Sequence, residues 1–218
     1  MDQPERSYIP AAGQHWLLRL YDPLLWILRG DALKRPLIEQ AAITPGFRVL
    51  DVGCGTGSLT VLIKRLHPQA AVVGLDPDDK ALAIAKRKVE RAGLSVEFDR
   101  GFADRLAYPD ASFDRVFSSF MFHHLTRDEK SATLGEIRRV LKVGGSLHLL
   151  DFAPPRSFLS RVVGHLFHQA AHVEDNVAGR IPSLIAEAGL VDCEEVAHRN
   201  TLVGSIAYYR AVTIEGSP

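Results

Sequence analysis

The chain has 218 residues, in which 26 basic side chains balance 26 acidic ones, 46% of residues are hydrophobic and 24% are charged. Zero net charge supplies no general attraction to polyanions, so nucleic acid is not an expected partner, and the ordinary globular composition allows a sizeable core. Two cysteines, Cys54 and Cys193, are too few for a disulfide framework, which points to a reducing, cytoplasmic setting.

Residues 1–30 read as an N-terminal helical lid segment ahead of one domain over 31–218. The most apolar stretch, Trp16 to Leu28, is interrupted by Arg19, Asp22 and Pro23 and falls short of the roughly 20 apolar residues that a membrane-spanning helix needs. Asp22-Pro23 before Leu24 to Leu28 predicts a short capped helix, suited either to closing over an apolar acceptor or to packing on the core. Transient contact with a membrane surface is compatible with it; a transmembrane segment is not.

From there short buried runs alternate with helical periods, the order expected of a parallel sheet covered on both faces. Arg48 to Val52 predicts a strand that runs into the glycine loop Gly53 to Gly57 and then a helix over Ser58 to Leu66, ending before Pro68. Ala71 to Leu75 is a second strand, ending at Asp76. Asp78 and Asp79 open a helix whose far end carries Lys86, Arg87, Lys88 and Arg91, charges that match the helix dipole, and Gly93 can close it. Leu94 to Phe98 reads as a third strand and Phe113 to Ser118 as a fourth. Thr126 to Leu141 is a helix with capping-box spacing between Thr126 and Glu129, and Ser146 to Phe152 is a fifth strand. Pro154-Pro155 opens an insertion, about 154–178, with an amphipathic helix over Ser157 to Val173. A helix near Ile181 to Ala188 and two β-like runs, Val191 to Ala197 and Leu202 to Val212, complete one open α/β domain.

The site chemistry starts at Asp51-Val52-Gly53-Cys54-Gly55-Thr56-Gly57. Closely spaced glycines between a buried strand and a helix let the backbone turn sharply and a ligand approach it, and free N–H groups at the helix start attract a carboxylate or phosphate. A dinucleotide fingerprint needs glycine or another small residue three positions after Gly55, where Ser58 stands, an imperfect match. A ligand with an amino-acid end suits the loop as well, because Asp51 precedes the glycines and can meet an ammonium group. Asp76, at the end of the second strand, can take both hydroxyls of a ribose, or cap the helix behind Pro77.

These residues, with Gly74-Leu75-Asp76, Ser112-Phe113-Asp114, His123-His124-Leu125 and Ile137 to Gly145, resemble the class I S-adenosylmethionine-dependent methyltransferases. The similarity is strongest to the group that includes the ubiquinone and menaquinone biosynthesis methyltransferases. The resemblance implies a Rossmann-like, mostly parallel seven-stranded sheet with an antiparallel last strand and helices on both faces. It implies S-adenosyl-L-methionine as cofactor, S-adenosyl-L-homocysteine as product, and a small apolar or aromatic acceptor methylated on oxygen or carbon. The loop residues Asp51, Gly53, Cys54, Gly55 and Gly57 would then hold the methionine end, Asp76 the ribose, and Pro77 would lie beside the adenine. Where the family usually has Gly-Asp-Ala after the third strand, this chain has Gly101, Phe102 and Ala103, so the Ala103 N–H and the Phe102 ring are left to meet the adenine. Asp104 is either a substitute carboxylate or a solvated turn residue. Ser118 and the segment to His124 would border the transferring methyl, with His123 or His124 as the base. His165, His168 and His172 share one face of the insertion helix, but they read more readily as polar lining than as metal ligands, and no metal is expected. Tyr208 and Tyr209 alternate, so only one can face a pocket. Two other functions share parts of this pattern: a noncatalytic protein retaining the fold, and an NAD-dependent oxidoreductase.

Overall fold

A computed structural model describes residues 30–156, 174–201 and 204–214. Residues 1–29 of the expected 1–30 lid, most of the insertion with His165, His168 and His172, and Leu202 lie outside the described residues. No described helix is long and apolar enough to cross a membrane.

Helix α1 (Gly30–Glu39) leads into β1 (Arg48–Val52), α2 (Ser58–Leu66), β2 (Ala71–Asp76), α3 (Asp79–Arg91) and β3 (Glu97–Arg100). The chain then returns across the sheet to β4 (Phe113–Ser119), a 3₁₀ turn (Phe122–His124), α4 (Arg127–Val140) and β5 (Leu141–Phe152). Short helices α5 (Glu174–Val177) and α6 (Ile181–Glu187) precede β6 (Val191–Thr201) and β7 (Gly204–Val212). The seven strands lie in the order β3-β2-β1-β4-β5-β7-β6. Pairing is parallel from β3 to β5 and antiparallel between β5 and β7 and between β7 and β6. The order reverses between β1 and β4, and the crevice beyond their carboxyl ends is where open α/β sheets bind ligands.

Alternation along each strand divides the core in two. Leu50, Val116, Leu147 and Leu149 pack with Leu134 and Ile137 of α4 and Ile181, Leu184 and Ile185 of α6. Val49, Phe117 and Leu150 pack on the other face with Leu37 and Ile38 of α1 and Leu59, Leu62 and Ile63 of α2. Tyr209 belongs to the first core and Tyr208 to the second, where its hydroxyl donates to the Leu33 carbonyl at 2.8 Å. The expected alternation holds, and both tyrosines are buried.

Several boundaries differ from the sequence expectation: the sixth strand runs on to Thr201 instead of ending at Ala197, and two earlier strands start elsewhere. The third strand starts at Glu97, not Leu94, because the Leu94 N–H caps α3 by donating to the Val89 carbonyl at 3.1 Å beyond the left-handed Gly93. The fifth strand starts at Leu141, not Ser146. Leu141 pairs with Phe113 directly after the helix, and a register shift brings Ser146 opposite Arg115.

Candidate active site

The glycine loop leaves β1 at the reversal point, with left-handed backbone at Gly53, Gly55 and Gly57. A side chain at Gly57 would run into Ala85 of α3, its Cβ 2.7 Å away. Within the loop the Gly53 and Cys54 N–H groups donate to the Leu75 carbonyl at 2.8 and 2.9 Å, that of Gly55 to Asp76 Oδ2 at 2.8 Å and that of Gly57 to the Cys54 carbonyl at 2.9 Å. With four N–H groups engaged internally, the loop is a poor phosphate cradle, which weighs against a dinucleotide pyrophosphate.

What the loop offers is negative charge. Asp51 is buried at the end of β1, with Oδ2 accepting from the Thr60 hydroxyl at 2.5 Å and Oδ1 without a hydrogen-bond partner. Burial pushes its carboxyl up to about 6. An enclosed carboxylate oxygen with nothing to accept from fits the ammonium end of an amino-acid ligand. Asp76, also raised to about 6 by burial, accepts the Gly55 N–H on Oδ2 and the Asp78 N–H on Oδ1 at 2.9 Å. Both readings of Asp76 therefore have a structural basis: it braces the loop and the start of α3, and each oxygen keeps a lone pair for a ligand hydroxyl. Pro77, Phe102 and Ala103 follow at the ends of β2 and β3 and are all half-buried, Ala103 against the core.

Ser118 is buried near the end of β4, and the chain leaves the sheet at Phe120, whose φ of 53° is rare for a residue with a side chain. The turn that follows separates the two histidines. His123 Nδ1 lies 2.8 Å from Asp151 Oδ1, and the His123 N–H reaches Asp151 Oδ2 at 3.3 Å. Phe152 packs edge-on against the His123 ring at 4.8 Å between centroids, and the His124 ring lies beside it at 4.1 Å. Burial raises the Asp151 carboxyl, but His123, the Phe152 N–H and His124 together more than offset this and hold it below its ordinary value. An ionised Asp151 accepts the Nδ1 proton and fixes the tautomer in which Nε2 has a free lone pair, the form a general base needs. His124 ends the 3₁₀ turn. The helix start next to it is capped by Thr126 and Glu129.

Asp151 was not among the residues singled out from sequence, nor were the buried polar groups near it. Lys130 of α4, fully enclosed, lies 3.5 Å from Asp175 of α5, which also pairs with Arg180 at 3.3 Å. Asn176 beside it is buried with neither amide atom bonded. Residue type gave the only available signal: an acidic residue closing an apolar strand, Leu147 to Asp151.

Residues 49–145 match the family model described as a methyltransferase domain. The demethylmenaquinone methyltransferase of Deinococcus radiodurans is 40% identical over 153 residues, covering 70% of this chain and 60% of that protein. The ubiquinone/menaquinone biosynthesis C-methyltransferase UbiE of Xanthomonas campestris is 40% identical over 125 residues, covering 56% of this chain and 49% of that protein.

Over residues 49–145 the chain resembles the class I S-adenosylmethionine-dependent methyltransferases and carries a methyltransferase domain.

S-adenosylmethionine, the cofactor such a domain implies, carries the ammonium group that Asp51 suits. The chain spans only about half to three fifths of the length of these two relatives. Its fold is also that of the YcgJ protein of Bacillus subtilis, with a TM-score of 0.73 and 19% identity, covering 85% of this chain and 100% of that one.

Proposed function

We propose that this methyltransferase places a methyl group on a ring carbon of a small, reduced, hydroxylated aromatic acceptor of the quinol type, with His123 as the base. The pairing of His123 with buried Asp151 at the carboxyl edge of the sheet carries the reading. The names of the two relatives, which act on demethylmenaquinone or in ubiquinone and menaquinone biosynthesis, favour a quinol ring and carbon over oxygen.

S-adenosylmethionine supplies a methyl group activated by its sulfonium and departs as S-adenosylhomocysteine. Asp51 takes the ammonium end on its unbonded oxygen, and Gly53, Cys54, Gly55 and Gly57 shape the loop around the methionine portion. Asp76 takes the ribose hydroxyls, Pro77 and Phe102 flank the adenine, Ala103 offers its N–H to it, and Ser118 lines the wall next to the methyl. His123 Nε2 accepts the acceptor's hydroxyl proton, which raises electron density at the ring carbon that attacks; that carbon then loses its hydrogen as a proton and the oxygen recovers one from His123, which restores the aromatic ring. Asp151 keeps the imidazole oriented and stabilises it once protonated. His124 packs beside this pair and completes the wall.

Purified protein given S-adenosylmethionine and demethylmenaquinol under reducing conditions should form S-adenosylhomocysteine and a ring-methylated product. His123→Ala should lower turnover by about 10²–10⁴-fold while leaving S-adenosylhomocysteine affinity unchanged. Binding of both ligands with no turnover in the unaltered protein would favour a noncatalytic role instead.

A further inference from the structure

The sheet face that carries Asp151 also carries a second histidine–carboxylate pair, in which His198 Nδ1 lies 3.2 Å from Glu195 Oε1. Residues three apart on a regular strand point to opposite faces. Here the register of β6 against β7 shifts between Glu195 and Ala197, so Glu195 stands opposite Tyr209 and His198 opposite Ala207, two residues apart on β7 and hence on one face. Val196, the extra residue, is turned out to solvent. Arg156, just beyond the end of β5, donates to the same Glu195 oxygen at 2.7 Å and holds the carboxylate in place.

Ala207 is also opposite Asp151 on β5. Asp151, Ala207 and His198 therefore form one row across three strands, with only a methyl group between the two polar side chains. At the usual strand spacing their backbones are about 10 Å apart, a distance that a hydroxylated aromatic ring and a hydrogen bond at each end can bridge. The His198 side chain is 8% exposed, and its Nε2 is enclosed with no hydrogen-bond partner. With the Nδ1 proton directed at Glu195, Nε2 is a buried acceptor with no donor, an arrangement that a ligand hydroxyl would satisfy.

We infer that His198, positioned by Glu195 and Arg156, receives a hydrogen bond from a second hydroxyl of the acceptor while His123 takes the proton of the first. It thereby makes the enzyme selective for rings with two hydroxyls. This rests on the proposed acceptor class and on His123 serving the first hydroxyl. The two pairs differ in their work: His123 moves a proton, whereas His198 only binds, so its removal should act on affinity and leave the chemical step largely intact.

Titration calorimetry of the full chain, saturated with S-adenosylhomocysteine and kept reduced, can compare 1,4-dihydroxynaphthalene with 1-naphthol, the same ring with one hydroxyl. The unaltered protein should bind the diol about tenfold more tightly, the worth of one added hydrogen bond. His198→Ala should remove that preference by weakening the diol and leaving 1-naphthol and S-adenosylhomocysteine unchanged. Equal affinity for the two rings in the unaltered protein, a result that needs no variant, would overturn the inference, as would equal weakening of both rings by His198→Ala. If neither ring binds, the acceptor class itself is wrong and the inference falls with it. A preference for the diol that disappears in His198→Ala, with no methyl transfer to any quinol, would retain the His198 site and overturn the proposed reaction.

Discussion

Asp51 is under opposite demands, because its surroundings favour the neutral acid and a cationic ligand favours the carboxylate. Burial raises its value from 3.8 to about 6. A carboxyl raised on folding holds its proton more tightly in the folded state, so its contribution to stability is greatest below 3.8 and is lost as pH rises through about 6. At pH 7 the ligand-free protein therefore carries a buried charge at a cost of on the order of 3 kcal/mol. Asp51→Asn keeps the shape and removes the charge. Thermal unfolding of the ligand-free variant at pH 7 should show a melting temperature a few degrees above the unaltered protein, and this gain should shrink towards pH 4.5, where Asp51 is already protonated. The same variant should lose S-adenosylhomocysteine binding. A variant no more stable than the parent at pH 7 would show that Asp51 is not the strained group described here.

At the scale of elements, the sequence was most readable where one local signal decides the structure. Thr126 and Glu129 were recognisable as a capping box, and the reciprocal bonds are present: the Glu129 N–H to Thr126 Oγ1 at 3.4 Å and the Thr126 N–H to Glu129 Oε2 at 2.9 Å. Thr126→Ala should cost about 1 kcal/mol, lowering the melting temperature by about 2–4 °C, and Thr126→Ser should restore it. The glycine loop and the ends of α2 and α3 were equally legible, since left-handed backbone, proline and charge placement act over a few residues. What could not be read depends on pairing at a distance. Asp151 looks like the end of an apolar strand until the fold brings it to His123, 28 residues earlier. Glu195 and His198 fall on opposite faces by simple alternation and share one only because β6 slips its register. Leu94 is apolar enough for a strand, yet its N–H is committed to the end of α3.

For the whole molecule, the strand order places the two halves of the site on different supports. Asp51 and Asp76 close β1 and β2 and share one loop through the Gly55 N–H, whereas His123 and Asp151 follow β4 and close β5. Cofactor binding should therefore report on the first pair and turnover on the second. Both Asp51 and Asp76 are raised to about 6 by burial, so the proposed binding of the cofactor's ammonium and ribose by these carboxylates requires proton release at this edge. With S-adenosylhomocysteine at 100 times its dissociation constant at pH 7.5, thermal unfolding should gain about 2.7 kcal/mol, or roughly 5–10 °C. At the same ligand concentration, affinity should fall by about tenfold per pH unit below 6 for each carboxyl that must ionise, so the shift at pH 5 should be about half or less of that at pH 7.5. His123→Ala should show the same pH dependence of the shift, because its ring lies on the other support. A shift independent of pH between 5 and 7.5 would remove Asp51 and Asp76 as the groups that receive the cofactor, even if turnover still depended on His123.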